Sequence, residues 1–295
     1  MERTNSRTQL VIHLFFVVVS AVCLLPFFLL VTSSITDESE IIRNGYTLFP
    51  KHISFAAYEY LLNDASAILR AYGNTFVATV IGTSVSLLII TMLAYPLSRR
   101  DFPWRKSLSF FVFFTMLFNG GLVPTYFVYT QVFDLKNTLL ALIVPYLLLN
   151  GFYVLLARTF FANTIPMEII ESAYIDGAGE FRIFWRIILP LSLPILATVG
   201  LFQLINYWND WFNSLIFITD RKLFNLQYLL NKILLDIQFL STSDLGGNQA
   251  EMIAALPKEG VRMAMAVIGV VPILIAYPFF QRFFIQGLTV GAVKG

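Results

Sequence analysis

The chain has 295 residues, of which 57% are hydrophobic and only 13% charged, with 29 Phe and a formal net charge of +2. A soluble domain carries about twice that charged fraction, so this is the composition of a protein that lives in lipid, and so small a net charge argues against a nucleic-acid partner. The single cysteine, Cys23, lies inside an apolar run, which excludes an internal disulfide framework and leaves it a small lipid- or core-facing hydrophobe.

Six apolar stretches follow one another at about 10–32, 75–98, 108–131, 138–160, 191–218 and 262–285. Each reaches the roughly 20 residues that a helix needs to cross a bilayer, and their apolar cores hold no Asp, Glu, Lys or Arg. They predict one all-α domain over residues 1–295, a polytopic bundle of six transmembrane helices. The first stretch follows Arg3 and Arg7 but is longer than the apolar core of a secretory leader, and no clean small-x-small site follows, so it reads as a retained span.

The turn between the second and third stretches holds Arg99, Arg100, Arg105 and Lys106 against Asp101. Short loops rich in Lys and Arg stay cytoplasmic. This orientation puts both termini and the segment 164–190 inside, with the longer loops 33–73 and 219–262 outside.

Pro26, Pro96, Pro124, Pro145, Pro194, Pro272 and Pro278 interrupt the stretches, as do Asn119-Gly120-Gly121 and Asn150-Gly151. Broken helices are tolerated in hydrocarbon where neighbouring helices or a water-filled cavity satisfy the freed backbone. Small residues such as Gly82, Ala94, Gly151, Ala197 and Gly269 allow helices to approach closely. Together these suggest a bundle that moves around a polar path. In the third stretch Asn119 and Tyr126 are candidates to line it.

Between the fourth and fifth stretches the chain turns polar. Two short helices are expected at about 166–175 and 180–188, separated by Asp176-Gly177-Ala178-Gly179, where glycine permits a sharp bend. Ile169, Ile170, Tyr174, Phe181, Phe184 and Trp185 would form a face to bury, with Arg182 and Arg186 left polar. Two uses fit: docking a partner, or lying on lipid headgroups.

The fifth stretch ends in Gln203, Asn206, Tyr207, Trp208, Asn209, Asp210, Trp211 and Asn213. Spacings of three, four and three put Gln203, Asn206, Asp210 and Asn213 on one face of a continuous helix. Amides and a carboxylate interleaved with aromatic rings suit a sugar-handling surface. An interfacial aromatic belt fits equally well.

The chain contains no Gly-x-x-x-x-Gly-Lys-Ser/Thr phosphate loop and no His-Glu-x-x-His, and His13 and His52 lie far apart. Its spans hold no paired acids or Lys–Asp couple of the kind ion-driven carriers use. No cofactor, metal or catalytic group is expected in this chain, and no intrinsic energy source is visible. An ion-coupled secondary sugar carrier, the alternative reading, would need a coupling-ion site and inverted repeats. A membrane-embedded enzyme would need convergent catalytic groups, and the spans offer only Asp210.

Glu171, Ala173, Gly177, Ile187, Leu189 and Pro190 match the pattern Glu-Ala-Ala, three residues, Gly, nine residues, Ile-x-Leu-Pro, with Ser172 in place of the first Ala and Asp176 and Ala178 matching its common Asp-Gly-Ala form. The segment resembles the cytoplasmic loop of binding-protein-dependent ABC importer permeases. From about residue 10 onward the chain is similar to their carbohydrate branch, through 119–126, Trp208-Asn209-Asp210 and 277–295. The subgroup resembled is that of the second permease of lipoprotein- and oligosaccharide-associated systems.

The resemblance implies a type I importer fold in a bacterial cytoplasmic membrane. It also implies a second homologous permease, two ATPase subunits holding ATP and Mg, and an external sugar-binding protein delivering a carbohydrate, in this subgroup an oligosaccharide. Carried over, Glu171, Ser172, Ala173, Asp176, Gly177 and Ala178 would form the coupling helix against an ATPase, and Gly246, Gly247, Asn248 and Gln249 in the outer loop would meet the binding protein.

Overall fold

The structure, a computed structural model, describes residues 6–242 and 257–292. Apart from an isolated bridge between Thr36 and Ile53, the described residues form helices, turns and loops. Gly246, Gly247, Asn248 and Gln249 lie outside the described residues. The helices are α1 (Ser6–Ser34), α2 (Glu38–Asn44), α3 (Ala56–Leu62), α4 (Ala65–Ser98), α5 (Arg105–Leu117), α6 (Leu122–Phe127), α7 (Gly151–Thr164), α8 (Met167–Ile175), α9 (Glu180–Ile183), α10 (Leu189–Leu191), α11 (Leu193–Trp208), α12 (Phe212–Phe217), α13 (Leu226–Thr242) and α14 (Lys258–Ala292).

Among the described residues three helices are long and apolar enough to cross a membrane unbroken: Gln9–Ser34 in α1, α4, and Lys258–Phe279 in α14. Two further candidates are bent. Arg105–Leu117 meets Leu122–Val132 at 113°, and Glu180–Leu191 meets Leu193–Trp208 at 80°. The first bend falls at Asn119-Gly120-Gly121, where Gly121 has a φ of +83° and Asn119 Oδ1 accepts from the Gly121 amide at 2.9 Å. The second falls at Ser192, between Pro190 and Pro194, which remove two helix donors.

The stretch 138–160 departs furthest from a regular transmembrane helix. It is a 3-10 turn at Leu139–Leu142, then irregular backbone, and becomes α-helical only at α7, where Asn150 caps the Phe152 amide at 2.9 Å. Tyr146 takes a φ of +62°, and the Leu147 amide bonds the Pro145 carbonyl at 2.7 Å, closing a tight three-residue turn. Positive φ is an outlier for so bulky a residue.

The chain divides into two compact units, residues 1–68 with 230–272, and residues 69–229 with 273–295. In the first, Glu38 accepts from the backbone amides of Glu259 and Gly260, both at 3.0 Å, and so caps the start of α14. Glu40 is buried and accepts from the amides of Lys51 and His52, which holds its carboxyl below the usual range.

The core of the second unit joins Ile90, Ala94 and Leu97 of α4 to Val154, Ala157 and Phe161 of α7, Ile170 and Ala173 of α8, Ile183 and Ile188, and Ile195 and Val199 of α11. Where such side chains leave lipid rather than water, the gain is close packing more than water release. Gly82 of α4 shows how close that packing is: a Cβ there would stand 2.4 Å from the buried Tyr207 ring of α11.

Candidate functional site

The segment 164–190 folds back on this core. Ile165 is extended before Pro166, which restarts the chain as α8. The helix ends in a two-bond lock. The Ala178 amide donates to the Ala173 carbonyl and the Gly177 amide to the Tyr174 carbonyl, both at 2.9 Å. This is the Schellman arrangement, with Gly177 in the left-handed position at φ +75°. Ala173 is buried and Ala178 packs against the same core, so the turn is rooted on its inner side. Glu171, Ser172, Ile175, Asp176 and Gly177 are exposed, and Ile175 is 87% exposed.

The face expected to be buried is only partly so. Ile170 and Phe184 are, joined by Ala173, Ile183 and Ile188, whereas Ile169, Tyr174, Phe181 and Trp185 are exposed. The helical period was correct, but the inner stripe is narrower than the apolar composition suggested. The outer surface of the segment is therefore apolar and acidic together.

A cluster that sequence reasoning missed holds the turn from behind. Arg99, only 8% exposed, follows the end of α4. One terminal nitrogen donates to the Tyr95 hydroxyl at 3.2 Å, the Tyr174 hydroxyl at 2.5 Å and Glu180 Oε1 at 3.2 Å. Its Nε donates to Asp101 Oδ1 at 2.9 Å, and the other terminal nitrogen pairs with Asp101 Oδ2. Tyr95 donates to Glu180 Oε2 at 3.0 Å, and Tyr174 also bonds Glu180.

Arg99 thus clasps both helices flanking Gly177, through Tyr174 of α8 and Glu180 of α9. The guanidinium beside Asp101 holds that carboxyl below the usual carboxylate range. Burial, then the Glu180 hydrogen bond, pushes the Tyr174 phenol upward. A pocket of about 440 Å³ opens next to the clasp between Met92, Tyr95, Phe102, Phe181 and Phe184. The available signal was a cation just beyond a Pro-containing helix end, with an acid three residues after Gly177. Counted only as a loop charge, Arg99 did not stand out.

The candidates in the fifth stretch are not on one helix: α11 stops at Trp208 and α12 restarts at Phe212. Asp210 Oδ1 caps α12, accepting from the Phe212 and Asn213 amides at 3.1 Å each. Gln203, Tyr207 and Asn213 are almost wholly buried and serve the irregular backbone of 143–147. Gln203 donates to the Leu147 carbonyl at 3.0 Å and to Ser86, Tyr207 to the Ile143 carbonyl at 2.8 Å, and Asn213 to the Pro145 carbonyl at 3.0 Å.

These polar groups complete a broken helix, as the low-dielectric interior requires. Trp208 is buried against Tyr72. Gln203, Tyr207, Trp208 and Asn213 thus present no open surface. Asn206 is half-buried and donates to the Tyr153 hydroxyl at 3.1 Å, Asn209 is exposed, and Asp210 keeps one carboxylate oxygen without a partner. Asn119 is exposed at the α5–α6 bend, and Tyr126 stacks on Phe217. Tyr146, at its strained turn, is 40% exposed.

A model of the family described as binding-protein-dependent transport system inner membrane component matches residues 88–290. The chain is similar to Protein LplC of Bacillus subtilis (strain 168), 38% identical over 279 residues that cover 94% of this chain and 91% of the relative. It is also similar to the polygalacturonan/rhamnogalacturonan transport system permease protein YtcP of the same organism, 36% identical over 293 residues and 99% of each chain. Among solved structures it resembles a chain in the crystal structure of a bacterial ABC transporter involved in the import of the acidic polysaccharide alginate. That match has a TM-score of 0.77 and 27% identity, and covers 96% of this chain and 99% of the other.

Proposed function

Because this chain belongs to the family of binding-protein-dependent transport system inner membrane components, we propose that it is one half of the moving pore of an ATP-driven oligosaccharide importer and that the turn at Gly177 is where an ATPase subunit engages it. It is a membrane-embedded transport subunit, not an enzyme, and it works with ATPase subunits, a substrate-binding protein and a second permease. Assignment to a sugar rests on its relatives, which include transporters of polygalacturonan/rhamnogalacturonan and alginate. ATP and Mg belong to the ATPase subunits. The membrane is the bacterial cytoplasmic one with both termini inside, and the second permease is a different, homologous chain.

One observation carries the docking assignment. The Gly177 turn is locked by two backbone bonds, rooted by Ala173 and the Arg99 clasp, yet shows Glu171, Ser172, Ile175 and Asp176 to the outside. A turn stiff on its inner side and exposed on its outer side can receive force without folding away. Closure of the ATPases on ATP would then move α8 and α9 together with the end of α4.

The polar path falls to Asn119, Tyr126, Asn206, Asn209 and Asp210, and the partial exposure of Tyr146 and Tyr153 supports adding them. Outer-loop residues Gly246, Gly247, Asn248 and Gln249 remain the proposed contact for the binding protein.

Gly177→Glu tests the docking. No heavy atom stands within 4 Å of where its Cβ would be, so the added cost is the left-handed φ, about 1 kcal/mol. The variant is expected to insert and keep its permease partner while losing sugar-stimulated ATP hydrolysis. Gly177→Asn, which tolerates that φ, is expected to keep most of the activity. Normal transport by Gly177→Glu with its ATPase still bound overturns the assignment.

A further inference from the structure

Against the α4–α5 turn, and sharing Asp101, Phe102 and Pro103 with the pocket beside the clasp, a second cavity of about 810 Å³ is lined by Arg100, Arg105, Lys106 and Arg158, with Ser109 beside them. Four cations therefore face one space. Its lining acid, Asp101, is already held by both arms of the Arg99 guanidinium. Arg158 comes from α7 and is fixed in place by its Nε bond to the Leu97 carbonyl at 3.1 Å, leaving its terminal nitrogens for another partner. Arg100, Arg105 and Lys106 have no ion pair or side-chain hydrogen bond among the described residues. The Ser109 hydroxyl oxygen is buried and likewise without a partner there. Like charges brought together around a cavity repel one another unless an anion sits between them.

The occupant's second property is written on α5. Phe110 lines the same cavity, and Phe114 and Phe118 follow it at four-residue intervals. Successive rings contact one another, 6.1 Å apart between Phe110 and Phe114 and 4.4 Å between Phe114 and Phe118, and all three are exposed. A polar, cationic mouth thus continues into an apolar track along a membrane helix. A soluble phosphate would use the mouth alone, whereas a phospholipid uses both, headgroup against the cations and acyl chain along the rings.

We propose that this cavity is a binding site for an anionic phospholipid of the cytoplasmic leaflet, its phosphate held by Arg100, Arg105, Lys106 and Arg158 and one chain lying on the Phe110–Phe114–Phe118 stripe. The leaflet rests on the orientation argued above, and the chemistry of the site does not. Because Arg158 and the α4–α5 turn join the site to the end of α4, the lipid would steady the base from which the Gly177 turn is held.

The test uses the intact complex purified in detergent with its co-purifying subunits. Lipid retention is read by native mass spectrometry after exchange against phosphatidylglycerol or phosphatidylcholine. Each basic side chain near a membrane surface strengthens anionic-lipid binding by about fivefold. Phosphatidylglycerol is therefore expected to be retained over phosphatidylcholine, and Arg105→Gln with Lys106→Gln to lower its retention by roughly 25-fold.

The equal-charge control, Arg182→Gln with Arg186→Gln, is expected to change nothing. Equal retention of both lipids, or the same loss in both double variants, overturns the proposal. Displacement of phosphatidylglycerol by millimolar inorganic phosphate assigns the site to a soluble anion and overturns the lipid. Should the double variant fail to accumulate, Arg105→Gln and Lys106→Gln made singly must each show the fivefold drop, and its absence also overturns the site.

Discussion

At Arg99 one guanidinium reaches four side chains on three segments, an arrangement that depends on a planar fork of donors and not on charge alone. Arg99→Lys is therefore expected to behave nearly as badly as Arg99→Ala. Each should lower stability by about 1–2 kcal/mol, the range for a lost set of charged hydrogen bonds whose acid partners are still half-exposed. Thermal unfolding and binding-protein-stimulated ATP hydrolysis read the two effects separately, and intact coupling in Arg99→Lys would remove the clasp from the mechanism. The same pair has a pH signature. The folded Asp101 carboxyl lies below its ordinary value, so its contribution is present above about pH 4 and is lost as pH falls through the depressed folded value. Asp101→Asn should flatten the acid limb of the stability profile, and an unchanged limb would show that the pair contributes nothing. Gly82 gives a prediction of opposite sign to the usual one. Gly→Ala inside a helix ordinarily gains about 1 kcal/mol. Here the new Cβ collides with the buried Tyr207 ring, and Gly82→Ala is expected to cost about 1–3 kcal/mol in unfolding measurements.

Among the elements, α14 begins under a cap supplied from more than 200 residues away. Glu38→Ala leaves the Glu259 and Gly260 amides without their acceptor and should cost about 1 kcal/mol. Hydrogen exchange at those two amides should rise first, and unchanged protection would rule the cap out. Such non-local pairings mark the limit of what the sequence discloses. Hydropathy located the long apolar helices, the Asn119-Gly120-Gly121 break and Pro194 announced the bends, and Gly177 announced the turn between α8 and α9. The region 143–149 was only partly legible. A run such as Leu-Ile-Val-Pro-Tyr-Leu-Leu-Leu has the hydropathy of a buried helix whether it is helical or not, and Pro145 was its visible warning. Gln203, Tyr207 and Asn213 were hard to read for the same reason. Their partners are carbonyls some 60 residues upstream, and a local face rule cannot distinguish an amide serving that backbone from one awaiting a sugar. Phe181 and Trp185 erred the other way, since an apolar side chain in a membrane protein has more than one place to go.

For the molecule as a whole, the chain is a transport subunit whose energy comes from elsewhere. Sugar uptake into vesicles holding the complete importer should stop when internal ATP is removed and persist when ionophores collapse ion gradients. The reverse result would favour an ion-coupled carrier. The length of α4 bears on how the stroke travels. Its 34 residues span about 51 Å against a hydrocarbon layer of about 30 Å, so at ordinary tilts the helix outruns the bilayer. Just beyond its C-terminal end Arg99 grips the turn. Toward its N-terminal end Asn74 holds the carbonyls of Lys222 and Phe224 at 2.9 and 3.0 Å, and Thr75 receives the Leu226 amide at 2.8 Å. One unbroken rod therefore has a handle at each end. A displacement at the Arg99 handle is carried along the helix axis to Asn74 and Thr75, because the hydrogen-bonded turns between them leave little slack to absorb it.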